Sequence, residues 1–82
     1  MPELPRLSGR AVVKAFGHAG WEVARQRGSH IILVKDSSWA TLSVPDHREV
    51  APGTLRSLIR ASGLTVEQFA ALAKKQAQPN KI

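Results

Sequence analysis

Apolar residues first recur at helical spacing near the start of the chain, and the positions that set this pattern are Val12, Val13, Phe16 and Ala19. Ser8 is a suitable N-cap, because its hydroxyl accepts a hydrogen bond from an otherwise unpaired helical N–H group. Gly20 is a natural end, since glycine tolerates the left-handed conformation that follows many helices. The pattern therefore predicts a first helix between Ser8 and Gly20.

The middle of the chain has the short, β-branched or alternating patterns of strands, which are predicted at residues 21–27, 30–34 and 39–44. Gly28-Ser29 is a turn signal between the first two strands. The second strand is apolar on both faces, which favours a central position in the sheet. Pro45 ends the third strand because it has no N–H group to donate. Turns this short predict an antiparallel meander.

Helical spacing returns in the last third, where the inward positions are Leu55, Leu58 and Ile59 in one helix and Val66, Phe69, Ala70, Leu72 and Ala73 in another. Pro52 opens the first of these helices and Gly63 ends it. Thr65 and Gln68 have the spacing of a capping box, in which each side chain bonds the backbone of the other residue. The sequence therefore predicts two further helices.

The predicted order is α-β-β-β-α-α, an α+β fold in which helices pack on one face of a three-stranded antiparallel sheet. This is the arrangement of double-stranded-RNA-binding domains. Eighty-two residues allow one compact domain over 1–82, with a core at about 7–73 and flexible ends at 1–6 and 76–82. Trp21 and Trp39, at the starts of strands, are predicted to lie in the core, and the alternative is that their rings stack on nucleic-acid bases.

Composition narrows the function classes. The chain has no cysteine, which excludes disulfides, thiolate zinc sites and cysteine nucleophiles. No apolar run approaches the ~20 residues needed to cross a bilayer, and Met1–Arg10 lacks the apolar region of a signal peptide. We therefore expect a cytoplasmic protein with no membrane partner. The common nucleotide-binding and hydrolase motifs are absent and the acidic residues are scattered, so we predict neither a cofactor nor a metal site.

Charge is the first indication of a partner. Twelve Lys and Arg residues outnumber six Asp and Glu residues, giving a net charge of +6 and a pI near 10.9. Such a surface attracts polyanions, and nucleic acid is the leading interpretation. An acidic partner protein is the alternative. Because the basic residues are spread along the chain, they favour a basic face on a folded domain over a disordered arm.

The segment around the first predicted turn combines residue types suited to phosphodiester chemistry. Gly28 and Ser29 form a turn whose backbone N–H groups can approach an anion. Arg25 and Arg27 carry guanidinium groups that match phosphate geometry, and His30 can exchange a proton near neutral pH. An imidazole that activates a ribose 2′-hydroxyl would cleave RNA without a metal ion. The alternative is a hydrogen-bonded structural histidine beside a turn.

Other candidate RNA contacts lie elsewhere in the chain. Lys35 is a third candidate phosphate contact. His47, in a polar loop, is a candidate either for contact with RNA or for assistance in proton transfer, and the alternative is a local hydrogen bond with a neighbouring acid. Arg56 and Arg60, one helical turn apart, form either a phosphate-contacting ridge or ordinary solvated surface. His18 is expected to be solvated.

These segments together resemble one known family, the HicA toxins, over about residues 7 to 73. The segments that carry the resemblance are Ser8–Ala15, Ala19–Trp21, Arg25–His30, Val44–His47, Ala51–Arg60 and Gly63–Phe69. A G-S-H turn, a V-P-x-H segment and a P-G-T-L-R helix in this order form a specific combination.

The resemblance implies a fold like that of double-stranded-RNA-binding domains and a ribosome-independent mRNA interferase paired with an antitoxin, HicB, that covers the active site. The family's essential histidine maps onto His30, and the glycine and serine before it map onto Gly28 and Ser29. Many relatives have a second histidine directly afterwards, where this chain has Ile31. The segment 36–38 also lacks the His-Pro-Asp-Gly turn common in the family.

The sequence therefore leads to three functional hypotheses. The first is an endoribonuclease toxin with His30 as its acid–base group. The second is a catalytically inert RNA-binding module of the same fold, in which the basic face binds RNA and His30 only contacts it. The third is a protein-interaction domain whose ligand is an acidic antitoxin.

Overall fold

The computed structural model describes the backbone of residues 6–77 and the side chains of residues 6–74. Its elements are α1 (Gly9–Gly17), β1 (Glu22–Arg27), β2 (His30–Val34), β3 (Leu42–Pro45), α2 (Pro52–Ser62) and α3 (Val66–Ala77). This order confirms the predicted α+β fold. Of the two predicted flexible ends, residues 1–5 and 78–82 lie outside the described residues, whereas the backbone of α3 continues to Ala77.

The three strands form an open antiparallel sheet in the order β1-β2-β3, so β2 is central as predicted. Burial alternates along β2. Ile31 and Leu33 are buried under the helices, whereas His30 and Val34 are exposed on the opposite face, which we call the outer face. The alternation agrees with the predicted packing of the helices on one face of the sheet, which leaves the outer face of β2 open although its sequence is apolar.

The core lies between the sheet and the helices. Phe16 of α1 and Phe69 of α3 are fully buried, and their ring centroids are 5.0 Å apart at a tilted angle. Trp21 is 3% exposed and lies in the core as predicted. Each helix contributes its predicted apolar face, and the buried hydrophobic side chains of α1 and α2 are those of Val12, Ala15, Phe16, Leu55, Leu58 and Ile59.

The helix ends follow the predicted capping chemistry. The Ala11 N–H donates to Ser8 Oγ over 3.1 Å at the start of α1. Gly63 ends α2 with φ +85°, in the left-handed region that favours glycine. The capping box of α3 is complete, since the Gln68 N–H donates to Thr65 Oγ1 over 3.0 Å and the Thr65 N–H donates to Gln68 Oε1 over 2.9 Å.

Two strands begin later than predicted. Trp21 precedes β1 because its N–H bonds the Phe16 carbonyl at the end of α1 and its ring turns into the core. β3 begins at Leu42, and Trp39 is fully exposed, so the prediction of a core Trp39 is wrong. Local turn bonds explain this result, because the Ser38 N–H bonds the Lys35 carbonyl and Ser38 Oγ accepts from the Ala40 N–H. These bonds keep residues 38–40 out of the ladder with β2.

Candidate active site at the hairpin end of the sheet

The β1–β2 hairpin closes with the turn that the sequence predicted. Arg27 and His30 form the last pair of the ladder, and Gly28 and Ser29 connect them. Gly28 has φ +59°, the left-handed conformation that two-residue hairpin turns require of a glycine or a small polar residue. Gln26 Nε2 donates to the Gly28 carbonyl over 3.1 Å. The turn is therefore supported by a side chain of its own strand.

A backbone hydrogen bond joins this turn to the segment after β3. The Asp46 N–H donates to the Ser29 carbonyl over 2.7 Å, directly beyond the point where His30 and Pro45 are opposite each other. His47 follows at once and is exposed. The two histidines are separated in the sequence by the rest of β2, the loop 35–41 and the whole of β3, and they are thus brought to the same end of the sheet. We call the turn with His30, Asp46 and His47 the hairpin end.

The start of α1 closes against the same segment. The Gly9 N–H donates to the His47 carbonyl over 2.8 Å, and the Val50 N–H donates to the Leu7 carbonyl over 2.8 Å. Gly9 is buried, and a Cβ atom there would overlap the Pro45 carbonyl oxygen. Only glycine permits this approach of helix to strand. Gly9 is thus a structural requirement of the hairpin end that the sequence analysis did not identify.

Asp46 connects three elements with its side chain and backbone. Its Oδ1 lies 3.4 Å from Arg10 Nε of α1, and its Oδ2 accepts from Gln26 Nε2 of β1 over 3.4 Å. The Asp46 side chain is 23% exposed, whereas that of Arg10 is 79% exposed. By residue type alone, Asp46 is one of several scattered acids in the sequence. The signal for its place at the site is its position directly after Pro45, because a residue that follows a strand lies beside the turn at the same end of the sheet.

A bulge in β1 determines which face carries the predicted phosphate contacts. Val23 is paired with Leu33 on the covered face, but the register then shifts, and Arg25 is paired with Ile32 on the outer face. Ala24 is the extra residue of the bulge. Simple alternation would have put Arg25 on the same face as Val23. Because of the bulge, Arg25 and Arg27 instead share the outer face with His30.

The outer face near the hairpin end is accessible and basic. Arg25, Arg27, Gly28, Ser29 and His30 are all exposed. The salt bridges among the described residues are Arg6–Glu49 and Arg10–Asp46, so the two β1 arginines carry no salt bridge there. A phosphate approaching His30 therefore meets guanidinium groups that no carboxylate of the described chain neutralises.

The remaining predicted contacts lie elsewhere. Lys35 follows the far end of β2, where its Nζ is 5.9 Å from the centroid of the Trp21 ring. Arg56 and Arg60 lie in the helix layer, on exposed positions of α2. His18 is the C-cap of α1 and is exposed, as expected. The structure therefore brings together Arg25, Arg27, Gly28, Ser29, His30 and His47, but not Lys35, Arg56 or Arg60.

Within the described residues, no three His, Asp or Glu side chains come close enough to hold a metal ion. None of the helices between residues 6 and 77 is long and apolar enough to cross a membrane. The hairpin end offers proton exchange by an imidazole, phosphate binding by guanidinium groups and backbone groups at a turn. Together these features define a small α+β protein with an exposed, basic, histidine-bearing hairpin.

Comparison with known proteins agrees with this description. Residues 9–64 match the family described as HicA toxin of bacterial toxin–antitoxin systems. No curated protein matches the chain. Because the family match covers more than half of the 82 residues, the chain belongs to the HicA toxin family. It is a toxin-family protein, and a toxin of this class has an antitoxin as its partner. The match extends from the first residue of α1 to the residue after Gly63, and α3 lies beyond it.

Proposed function

We propose that the protein is a toxin that cleaves mRNA as a metal-independent endoribonuclease in the cytoplasm, with His30 as its acid–base group. One observation carries the proposal. His30 is exposed on the outer face, opposite Arg27, at a turn that is bonded to a second histidine-bearing segment. Family membership supports the toxin role, and the residue chemistry of the hairpin end supports RNA as the target.

The proposed reaction is an internal transesterification. His30 takes the proton of a ribose 2′-hydroxyl, and the 2′ oxygen attacks the adjacent phosphorus. The bond from phosphorus to the 5′ oxygen breaks, and that oxygen takes up a proton. His47 is the second imidazole at the hairpin end and is our candidate for this donor. The products are a 2′,3′-cyclic phosphate and a free 5′-hydroxyl.

The arginines and the turn would stabilise the charge that develops on the phosphate. Arg25 and Arg27 lie on the face of His30, and their guanidinium groups can each donate two hydrogen bonds to phosphate oxygens. The exposed backbone at Gly28 and Ser29 allows close approach of the RNA chain. These contacts fix the phosphate beside the imidazole, which is the condition for efficient proton transfer.

Ile31 does not weaken this proposal. Its side chain is 7% exposed and lies in the core, on the opposite face of the sheet from His30. A residue at this position stabilises the covered face in this chain and does not share the surface on which RNA would bind. Within β2, His30 is therefore the residue whose side chain can exchange a proton with bound RNA.

The test is cleavage of a synthetic mRNA by purified full-length protein in EDTA. We expect His30→Ala to lower the cleavage rate by at least about 100-fold, the smaller of the effects usual for a lost acid–base group. His18→Ala is the matched control, because it removes an exposed histidine from the far end of α1 and should leave cleavage unchanged. The new ends should carry 2′,3′-cyclic phosphates.

Other outcomes are equally informative. Cleavage that EDTA abolishes and magnesium restores would contradict the metal-independent mechanism. Equal cleavage by the His30→Ala variant would exclude His30 as the acid–base group. Intact RNA that is nevertheless bound by folded protein would favour the inert RNA-binding module.

A further inference from the structure

A cleft opens in the helix layer where α2 leads into α3. Its volume is about 230 Å³, and its walls are formed by Arg56, Ile59, Arg60, Leu64 and Val66. Pockets for drug-sized ligands usually have about 300–1,000 Å³, so this cleft suits one or two side chains rather than a cofactor. We call it the α2–α3 cleft.

The rim of the cleft is positively charged and has no neutralising partner in the described chain. Arg56 and Arg60 are one turn apart on α2, and α2 itself contains no acidic residue. Neither arginine forms a salt bridge with a described carboxylate, since those salt bridges are Arg6–Glu49 and Arg10–Asp46. Two exposed guanidinium groups at this spacing are suited to carboxylates of a bound chain, because their planar donors match carboxylate oxygens.

The floor of the cleft is aliphatic. Ile59 is 2% exposed, and Leu64 and Val66 are half-buried beside it. An apolar side chain placed on this floor would be removed from water, which is favourable in proportion to the apolar area buried. An apolar centre with a charged rim is the usual composition of a protein–protein contact. The floor offers no aromatic ring on which a nucleic-acid base could stack.

We propose that the α2–α3 cleft binds an acidic segment of the antitoxin, with an aliphatic side chain on the floor and flanking carboxylates on Arg56 and Arg60. The family supplies an antitoxin partner, and the chain's net charge of +6 favours an acidic one. The cleft lies in the helix layer, whereas His30 lies on the outer face of the sheet. This contact would therefore lie apart from the proposed active site, and it would be additional to the cover over that site that the family resemblance implies.

The test uses full-length protein with labelled methyl groups and the end-capped peptide Glu-Asp-Leu-Glu-Asp at millimolar concentration. We expect nuclear magnetic resonance shifts at the methyl groups of Leu64 and Val66. Replacing the peptide's leucine by serine, or its acids by the corresponding amides, should abolish these shifts. The paired substitution Arg56→Gln and Arg60→Gln should weaken binding about tenfold or more, the loss typical of charge-assisted hydrogen bonds.

The matched control is Lys14→Gln with Lys74→Gln, which removes the same charge from exposed positions on α1 and α3 and should leave binding nearly unchanged. Equal weakening by both pairs would show general charge attraction and overturn the proposal, as would the absence of shifts at the cleft. Shifts of the same methyl groups by a short oligouridylate that displaces the peptide would assign the cleft to RNA instead. The inference rests on family membership, so loss of the ribonuclease proposal would not affect it.

Discussion

At the hairpin end of the sheet, backbone hydrogen bonds join the turn to the segment after β3 and join that segment to α1. At the opposite end, residues 35–41 form what we call the loop end, and the turn bonds found there connect residues three or fewer positions apart. The candidate chemistry lies at the first end, and the fully exposed Trp39 lies at the second. The two ends therefore differ in the hydrogen bonds of their turns, which reach other elements at the hairpin end and only neighbouring residues at the loop end.

This difference shows what a small domain needs for a defined site. Side chains at a turn have fixed positions only when the backbone beneath them is bonded to other elements. At the hairpin end, a backbone hydrogen bond connects Ser29 in the turn to Asp46 after β3. A second one connects His47, the next residue, to Gly9 at the start of α1. If the two ends differ in stability as the structure indicates, substitutions at the hairpin end should lower the free energy of unfolding more than substitutions at the loop end.

Gly9→Ala should have the largest effect. The added Cβ atom would overlap backbone of Pro45, so α1 and the end of β3 must separate, and we expect a loss of about 3 kcal/mol in the free energy of unfolding. Urea denaturation measures this loss. Gly17→Ala in the same helix is the control, because a Cβ atom there meets nothing within 4 Å, and it should stabilise slightly. Similar losses in both variants would contradict the close approach at Gly9.

Gly28→Ala should lower the free energy of unfolding by about 1 kcal/mol, because a residue with a Cβ atom is strained in the left-handed conformation. Nothing lies within 4 Å of a Cβ atom at this position, so no collision contributes. Gly28→Asn should cost less, since asparagine tolerates this conformation. Thermal unfolding of the pair measures the difference. An asparagine variant less stable than the alanine variant would show that the turn has another conformation.

Asp46→Ala should destabilise by up to about 1 kcal/mol, because it removes a half-exposed ion pair with Arg10 and a long hydrogen bond from Gln26. Asp36→Ala at the loop end is the matched control. Asp36 is exposed and has no salt bridge within the described residues, so its loss should leave the unfolding free energy unchanged. Added salt should narrow the difference in unfolding free energy between the two variants, because it screens the ion pair. A difference independent of salt would argue against the ion pair.

Trp39→Ser should change stability by less than about 0.5 kcal/mol, since the side chain is fully exposed. The same substitution should remove nearly all fluorescence that acrylamide can quench, because Trp21 is 3% exposed. Strong quenching that survives in the variant would show that Trp21 is accessible. A large loss of stability would show that Trp39 packs against the protein.

The fold could be predicted where local chemistry decides it. The capping box at Thr65 and Gln68, the end of α2 at Gly63 and the central β2 all depend on neighbouring residues or on a short run of apolar residues. The predicted end of α1 at Gly20 is three residues too late, because the helix ends at Gly17 and Gly20 lies in the turn that follows. Trp39 was mispredicted because its type and position suggested a strand start, whereas the turn bonds of Ser38 keep it out of the ladder. Residue type alone does not reveal this competition between local turn bonds and strand pairing.

The candidate site could be predicted only in part. His30, Gly28 and Ser29 form a local motif, and the sequence indicated them directly. The bulge at Ala24, which turns Arg25 to the outer face, changes the register without a proline or glycine to mark it. The positions of Asp46 and His47 depend on bonds to distant residues, which no local pattern encodes.

The long-range hydrogen bonds at Gly9 and Val50 also have a consequence for the order of folding. They join the start of α1 to a segment that the chain reaches only after all three strands, and closing so long a loop is entropically costly. A nascent chain emerges N-terminus first, so His30 leaves the ribosome before Asp46 can hold its turn. The newly made toxin therefore passes through a stage in which the histidine is exposed but its surroundings are unformed. Slow amide exchange at Gly9 and Asp46 would mark the end of that stage.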